Sequence, residues 1–163
     1  MKRISIPICN LSLQPYYNSP IETQLIFGEE VEIIDKKGSW LNCRVIQDNY
    51  KGWIKKNSVS ELEAPNFQVI SLVCHIYEKP DIKSRTLNTL FYNSKIQIMH
   101  KDNLWFVCNY KGKKGYIFNK NLNEIKSIKE NGNDWVKKVE QFVNTTYLWG
   151  GKSYLGVDCS GLL

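Results

Sequence analysis

Apolar and polar residues alternate along Val31-Glu32-Ile33 and again along Ile96-Gln97-Ile98. A period of two places one face of an extended strand on a core and the other in water. After a Lys-Lys-Gly-Ser stretch, Trp40-Leu41-Asn42-Cys43-Arg44-Val45 predicts the partner strand of a hairpin. Both stretches belong to an internal repeat. Residues 28–35 and 36–43 recur as 93–100 and 101–108, an offset of 65 that also pairs Cys9 with Cys74, Pro15 with Pro80 and Trp40 with Trp105. Lys51-Gly52-Trp53-Ile54 recurs as Lys114-Gly115-Tyr116-Ile117 at an offset of 63, so the second copy has a loop two residues shorter. Residues 47–50 and 109–112 are the next hairpin turns. Each copy thus predicts five short strands in about sixty residues, the pattern of a small, strongly bent barrel.

Beyond residue 128 the pattern changes. Trp135, Val136, Val139, Phe142 and Val143 fall at helical spacing, with Lys137, Lys138, Glu140 and Gln141 on the other face. A helix over residues 135–144 is expected, capped by Asn133-Asp134 and packing its apolar stripe. A glycine-punctuated loop then delivers Cys159 to a second helix start, with Asp158 or Gly156 near its N-cap. A thiol there faces unpaired N–H groups and the positive end of the dipole. Both favour the thiolate, the nucleophilic form, and the same N–H groups suit a developing oxyanion.

Composition narrows the functions. Of 163 residues 42% are hydrophobic, enough for packed cores. The net charge is +6, but 16 acidic residues lie among the lysines and no basic stretch is interleaved with aromatics. Nucleic acid is therefore not an expected partner. No apolar run reaches membrane-span length, so no membrane partner is expected. The start Met1-Lys2-Arg3 leads directly into the first repeat without a leader-like apolar region, which places the chain in the cytoplasm as an expectation. Cys9 matches Cys74 and Cys43 matches Cys108, so these four fill cores rather than form disulfides. There is no C-x-x-C and no histidine at ligand spacing, so neither metal nor cofactor is expected. Cys159 alone has no repeat partner.

The spaced Gly-Glu-x-Val-x-Ile, the Trp opening the next strand and the closing Gly-Trp-Ile or Gly-Tyr-Ile resemble the bacterial SH3 family over residues 4–62 and 68–125, with Pro65 at the joint. Tyr147-Leu148-Trp149-Gly150-Gly151, Gly156 and Asp158-Cys159-Ser160-Gly161-Leu162 resemble the NlpC-type family of cell-wall cysteine peptidases over residues 134–163. The resemblance implies a mainly β chain: two small SH3-like barrels, residues 1–63 and 67–127, then an incomplete α+β papain-like segment, residues 128–163. It also implies hydrolysis of γ-D-glutamyl–diamino-acid bonds in peptidoglycan-derived peptides, during recycling of imported peptides. Cys159 would be the nucleophile. Asp158 and Ser160 would bind the substrate's amino end and D-glutamate, while Tyr147 and Trp149 would line the site and the SH3 modules would shape its pocket.

Such chemistry needs a base to take the thiol proton and return it to the leaving amine. In the resembling family a histidine downstream of the nucleophile serves, whereas this sequence ends at Leu163. His75 and His100 match Asn10 and Asp35 of the first copy, so neither is expected to substitute. The expectation is a truncated chain, inactive alone: a gene fragment, a split gene with a separately encoded C-terminal half, or a sequence cut short. The alternatives are a non-catalytic SH3-like pair that binds cell-wall peptides, and a non-functional relic.

Overall fold

The computed structural model describes residues 2–127 and 135–162. The Asn133-Asp134 pair expected to cap a helix, and Leu163, lie outside the described residues. The chain divides into two compact units, residues 1–62 with 144–163, and residues 63–143. The stretch expected as a third segment is thus shared between them. The described residues are mainly β.

The first unit opens with β1 (Lys2–Ile4), β2 (Ile8–Ser12), β3 (Ile21–Ile26), β4 (Glu30–Lys37), β5 (Trp40–Val45), β6 (Lys51–Lys55) and β7 (Val59–Ser60). They form one antiparallel sheet in the order β3-β2-β6-β5-β4-β1-β7. The period of two holds: Leu41, Cys43 and Val45 of β5 are buried, while Trp40, Asn42 and Arg44 face the other way, half-buried. Ile4, Leu11, Leu25, Val31 and Ile54 complete the core. Each such side chain contributes about 1.5–3 kcal/mol on burial, and the sheet exists to cover them.

The second unit holds β8 (Phe67–Val69), β9 (Val73–Tyr77), β10 (Thr86–Phe91), β11 (Lys95–Ile96), β12 (Ile98–Lys101), β13 (Trp105–Tyr110), β14 (Lys113–Phe118), β15 (Leu122–Glu124) and α1 (Trp135–Glu140). Its sheets run β10-β9-β14-β13-β12 and β11-β8-β15. The repeat is structural as well as sequential. Val69, Cys74, Ile76, Leu90, Ile96 and Cys108 are buried where the first unit buries Ile4, Cys9, Leu11, Leu25, Val31 and Cys43. A β-bulge between Ile33 and Asp35 recurs between Ile98 and His100. Gly52 faces Cys43 across its hairpin and Gly115 faces Cys108. A Cβ at Gly115 would lie 2.4 Å from Ile76 Cγ2, and one at Gly52 would lie 2.8 Å from Leu11 Cγ. The repeated Gly before an aromatic residue is therefore a space requirement of the core.

The copies differ at one hairpin. In the second unit, Lys111 and Gly112 (φ +51° and +78°) make a two-residue turn, whereas the first unit spans residues 46–50. The expected helix over 135–144 is shorter than its pattern. Regular α geometry ends at Glu140, the Phe142 and Val143 amides donate to the Val139 and Glu140 carbonyls three residues back, and Asn144 turns left-handed at φ +70°. Its apolar stripe is not packed as expected: Val136 and Val143 are exposed, and Phe142 meets Tyr92 edge-to-face at 5.7 Å. Among the described residues no helix is long and apolar enough to cross a membrane.

Candidate functional site

The candidate segment lies in the first unit. It comprises β16 (Lys152–Ser153), β17 (Gly156–Val157) and α2 (Cys159–Leu162). β16 and β17 pair as a hairpin, and Tyr147 bridges in parallel to Val157. Cys159 is the first residue of α2, and its thiol is exposed.

Asp158 organises this turn. It is buried, and its Oδ1 accepts from the Gly161 amide at 2.7 Å, the bond of an N-cap residue to the third position of a helix. The same oxygen accepts from the Ser160 hydroxyl at 2.9 Å, while Oδ2 accepts from the Gly150 amide at 2.7 Å. Burial by itself would push this carboxyl up. The Gly161 and Gly150 amides, with the Ser160 hydroxyl, outweigh it and hold the carboxyl below the usual aspartate range. Two glycines let the strands of the loop meet. A Cβ at Gly161 would sit 2.0 Å from the Gly151 carbonyl oxygen. Gly150 has φ +72° and lies against Thr23, where a Cβ would be 3.0 Å from its Cα.

The loop rests on β3, the edge strand of the first sheet. The Gln24 amide donates to the Gly150 carbonyl at 2.7 Å, and the Trp149 indole N–H donates to the Ile21 carbonyl at 3.0 Å. The Lys152 amide donates to Gln24 Oε1 at 3.3 Å. Edge groups that would otherwise be open are thereby paired. Beside this edge the Lys152 ammonium lies 3.3 Å from Glu29 and 3.0 Å from Asp48. The three side chains are only 18%, 7% and 26% exposed. Burial pushes the Glu29 carboxyl up, against the pull of Lys152. Burial would push the Lys152 ammonium down, but Glu29 and Asp48 together raise it.

The structure places the sequence-predicted residues as follows. Asp158 and Ser160 are bonded to each other and flank Cys159. Tyr147 is joined to the segment through Val157, and its side chain is exposed, as is that of Trp149, whose N–H turns back to β3. His75 and His100 stand on β9 and β12 of the second unit, and the His75 ring lies 3.0 Å from Thr89 Oγ1. Asn10 and Gln24 make the equivalent cross-strand bond in the first unit. Cys9, Cys43, Cys74 and Cys108 are buried free thiols, as expected of core-filling residues. Among the described residues no cluster of three or more His, Cys, Asp or Glu is arranged to hold a metal ion. Sequence reasoning missed Gln24, Glu29, Asp48 and Lys152. The signal was available: Gln24 and Glu29 face Thr89 and Ser94 in the repeat, and Asp48 lies in the loop that the second copy shortens.

The fold and this turn define a class: SH3-like β modules holding a Gly-rich loop with an Asp-Cys-Ser turn. Residues 13–59 match the profile of the bacterial dipeptidyl-peptidase SH3 domain. A solved NlpC/P60 family protein from Bacillus cereus shares the fold, with a TM-score of 0.82 over 99% of this chain and 70% of that one, at 19% identity. A γ-D-glutamyl-L-lysine dipeptidyl-peptidase of B. cereus is 25% identical over 86% of this chain and 48% of its own length. Dipeptidyl-peptidase 6 of Lysinibacillus sphaericus is 27% identical over 95% of this chain and 64% of its own length. The chain therefore spans about half to two-thirds of the length of these curated relatives. Its fold is that of the solved NlpC/P60 family protein over the part the two share, and residues 13–59 are similar to the SH3 domain of bacterial dipeptidyl-peptidases.

Proposed function

We propose that these residues supply the nucleophile and the SH3-side scaffold of a cysteine endopeptidase that cleaves γ-D-glutamyl–diamino-acid bonds in peptidoglycan-derived peptides. The observation that carries this reading is the Asp158-capped turn, which presents an exposed thiol at Cys159 on a loop docked against an SH3 module. The name of the B. cereus γ-D-glutamyl-L-lysine dipeptidyl-peptidase supplies the bond class.

In the reaction the Cys159 thiolate attacks the γ-carbonyl of D-glutamate. The C–N bond breaks, an acyl-enzyme forms, and water releases it. Asp158 keeps the turn in register through Gly150 and Gly161, so its main contribution is to position Cys159. The exposed faces of Tyr147 and Trp149 are available to the peptide. Each step needs a proton carrier near the thiol. The reading assigns that role to a histidine outside these 163 residues, on the same polypeptide or on a separately encoded half, and expects the 163 residues alone to be inactive. Cytoplasmic recycling of short wall peptides suits this chemistry.

The test is release of L-Ala-γ-D-Glu from L-Ala-γ-D-Glu-L-Lys, followed by mass spectrometry. The histidine-bearing polypeptide, or the 163 residues mixed with the separate half, should turn over, and Cys159→Ala should abolish it. Equal turnover by the Cys159→Ala protein would sink the assignment. Turnover by the 163 residues alone would remove the need for an outside base. The alternative, a non-catalytic pair of wall-peptide-binding modules, predicts binding of that tripeptide with no turnover in any of these forms.

A further inference from the structure

The side-chain hydrogen bonds of Asp158 fix the turn around Cys159, but all of them lie within the loop itself. Holding that loop on the first module is a separate task. Backbone bonds such as the one from the Gln24 amide to the Gly150 carbonyl give register, and any edge strand can offer them. A choice of one surface over another needs side chains. Lys152 supplies that choice. Its ammonium reaches Glu29, between β3 and β4, and Asp48, between β5 and β6. One side chain thereby ties the β16–β17 hairpin to two separate connections of the module.

The tie leads to the nucleophile through a short backbone path. Lys152 stands across from Val157 in the hairpin, and Val157 is followed by Asp158. The Gly151 carbonyl, next to Lys152, accepts from the Asp158 amide at 3.2 Å. Gly151 packs on Gly156 so closely that a Cβ would lie 2.4 Å from the Gly156 carbonyl oxygen. Little slack is left between the anchored lysine and the turn that starts α2, and a site gains its precision from such a supporting shell. Lys152 is not itself a proton carrier. Burial would push its ammonium down, but Glu29 and Asp48 raise it, so it stays charged at neutral pH.

The second module is the control. The repeat puts Thr89 at the place of Gln24 and Ser94 at that of Glu29, and the shortened hairpin has no counterpart of Asp48. The same turn exists there, since the Ser94 hydroxyl accepts from the Phe91 amide as Glu29 Oε2 accepts from the Ile26 amide. Neither Thr89 nor Ser94 can anchor a cation as a carboxylate does. Glu29 makes the turn bond with one oxygen and meets Lys152 with the other.

We propose that Lys152, anchored by Glu29 and Asp48, is a positioning residue for Cys159, holding the nucleophile loop on the first module in the geometry that attack requires. The catalytic consequence rests on the peptidase reading above; the placement of the thiol does not.

Two measurements test it. In the 163-residue chain, Cys159 is labelled with bromotrifluoroacetone and followed by ¹⁹F NMR. A single resonance is expected, replaced by a shifted or split signal in Lys152→Met and restored at least in part in Lys152→Arg, which keeps the charge. Glu29→Ser copies the second module and keeps the turn bond, so it guards against a result caused by unfolding; it should move the signal in the same direction. In the histidine-bearing polypeptide, or the mixture with the separate half, Lys152→Met should lower kcat on L-Ala-γ-D-Glu-L-Lys roughly tenfold to a hundredfold, with KM changed by less than about threefold. Lys101→Met, which breaks the Lys101–Glu124 pair of the second module, should alter neither readout. A resonance unmoved by Lys152→Met, or a kcat as low in Lys152→Arg as in Lys152→Met, would overturn the role. A fall in turnover that only matches a fall in folded fraction, read by circular dichroism, would overturn it too, since Lys152 would then merely stabilise the fold. Failure of the peptidase reading appears separately, as turnover that survives Cys159→Ala.

Discussion

Lys152→Met is the sharpest perturbation of the candidate segment. Two carboxylates at 3.3 and 3.0 Å each attract the ammonium by about 5 kcal/mol at an effective dielectric constant near 20. Most of that is offset by the cost of taking the three groups out of water. Truncating Lys152 alone removes the attraction and leaves the desolvated Glu29 carboxylate uncompensated, a net loss of about 2–3 kcal/mol. The Gln24 amide is a direct reporter, since its hydrogen bond goes to the Gly150 carbonyl of the docked loop. A loss of about 2 kcal/mol lowers its hydrogen-exchange protection roughly thirtyfold. Amides of β13 in the second unit should not change. Adding Glu29→Gln removes the stranded charge, so the double variant should recover about half of the loss.

The pH dependence has a sign. Burial holds the folded-state pKa of Glu29 above its ordinary value, so the stability it contributes is complete when it is protonated and falls as pH rises through that value. The Lys152→Met defect should therefore shrink toward pH 4 and be full at neutral pH. The Lys152 pKa is raised, so its own contribution is complete below the ordinary lysine value and disappears as pH rises through the higher folded one. Unchanged Gln24 protection in Lys152→Met, or additive losses in the double variant, would refute the account of the clamp.

Three further outcomes follow from the geometry. Iodoacetamide at pH 8 should add one group per native chain, at Cys159, because burial pushes Cys9 up to about 11 and Cys43, Cys74 and Cys108 up to about 12; two or more adducts by mass spectrometry would contradict this. Gly161→Ala should cost about 1–3 kcal/mol, read as lost protection of the Gly150 amide, because the new Cβ meets the Gly151 carbonyl. Asp158 has a lowered folded pKa, so its stabilisation is present above the ordinary aspartate value and is lost as pH falls through the folded one; Asp158→Asn should flatten the acid limb of loop protection, and an unaltered limb would assign it to another group.

Much of the fold was legible in the sequence because its signals are local and doubled. Alternation in β4 and in its counterpart across β11 and β12, and the recurrence of Cys43 as Cys108, needed no tertiary information. The Asp158-Cys159-Ser160-Gly161 turn was legible for the same reason, since capping acts over three residues. The helix over 135–144 was overestimated because periodicity marks which face would be apolar, while the packing that would extend a helix lies elsewhere in the chain. Lys152 and its partners were missed because Glu29 and Asp48 lie 123 and 104 residues away from it, beyond any local pattern.

Comparison of the two copies recovers part of that non-local information. A duplicated module starts with equal surfaces, and core positions stay matched because packing constrains both copies alike. Differences at polar or surface positions then mark where one copy has acquired a partner. Gln24 for Thr89, Glu29 for Ser94 and the longer loop with Asp48 all converge on the segment that carries Cys159. The local fold explains the substitution at Glu29 only in part. Ser94 makes the same turn bond to Phe91 that Glu29 makes to Ile26, so the turn itself does not require a carboxylate. The acid is explained by Lys152.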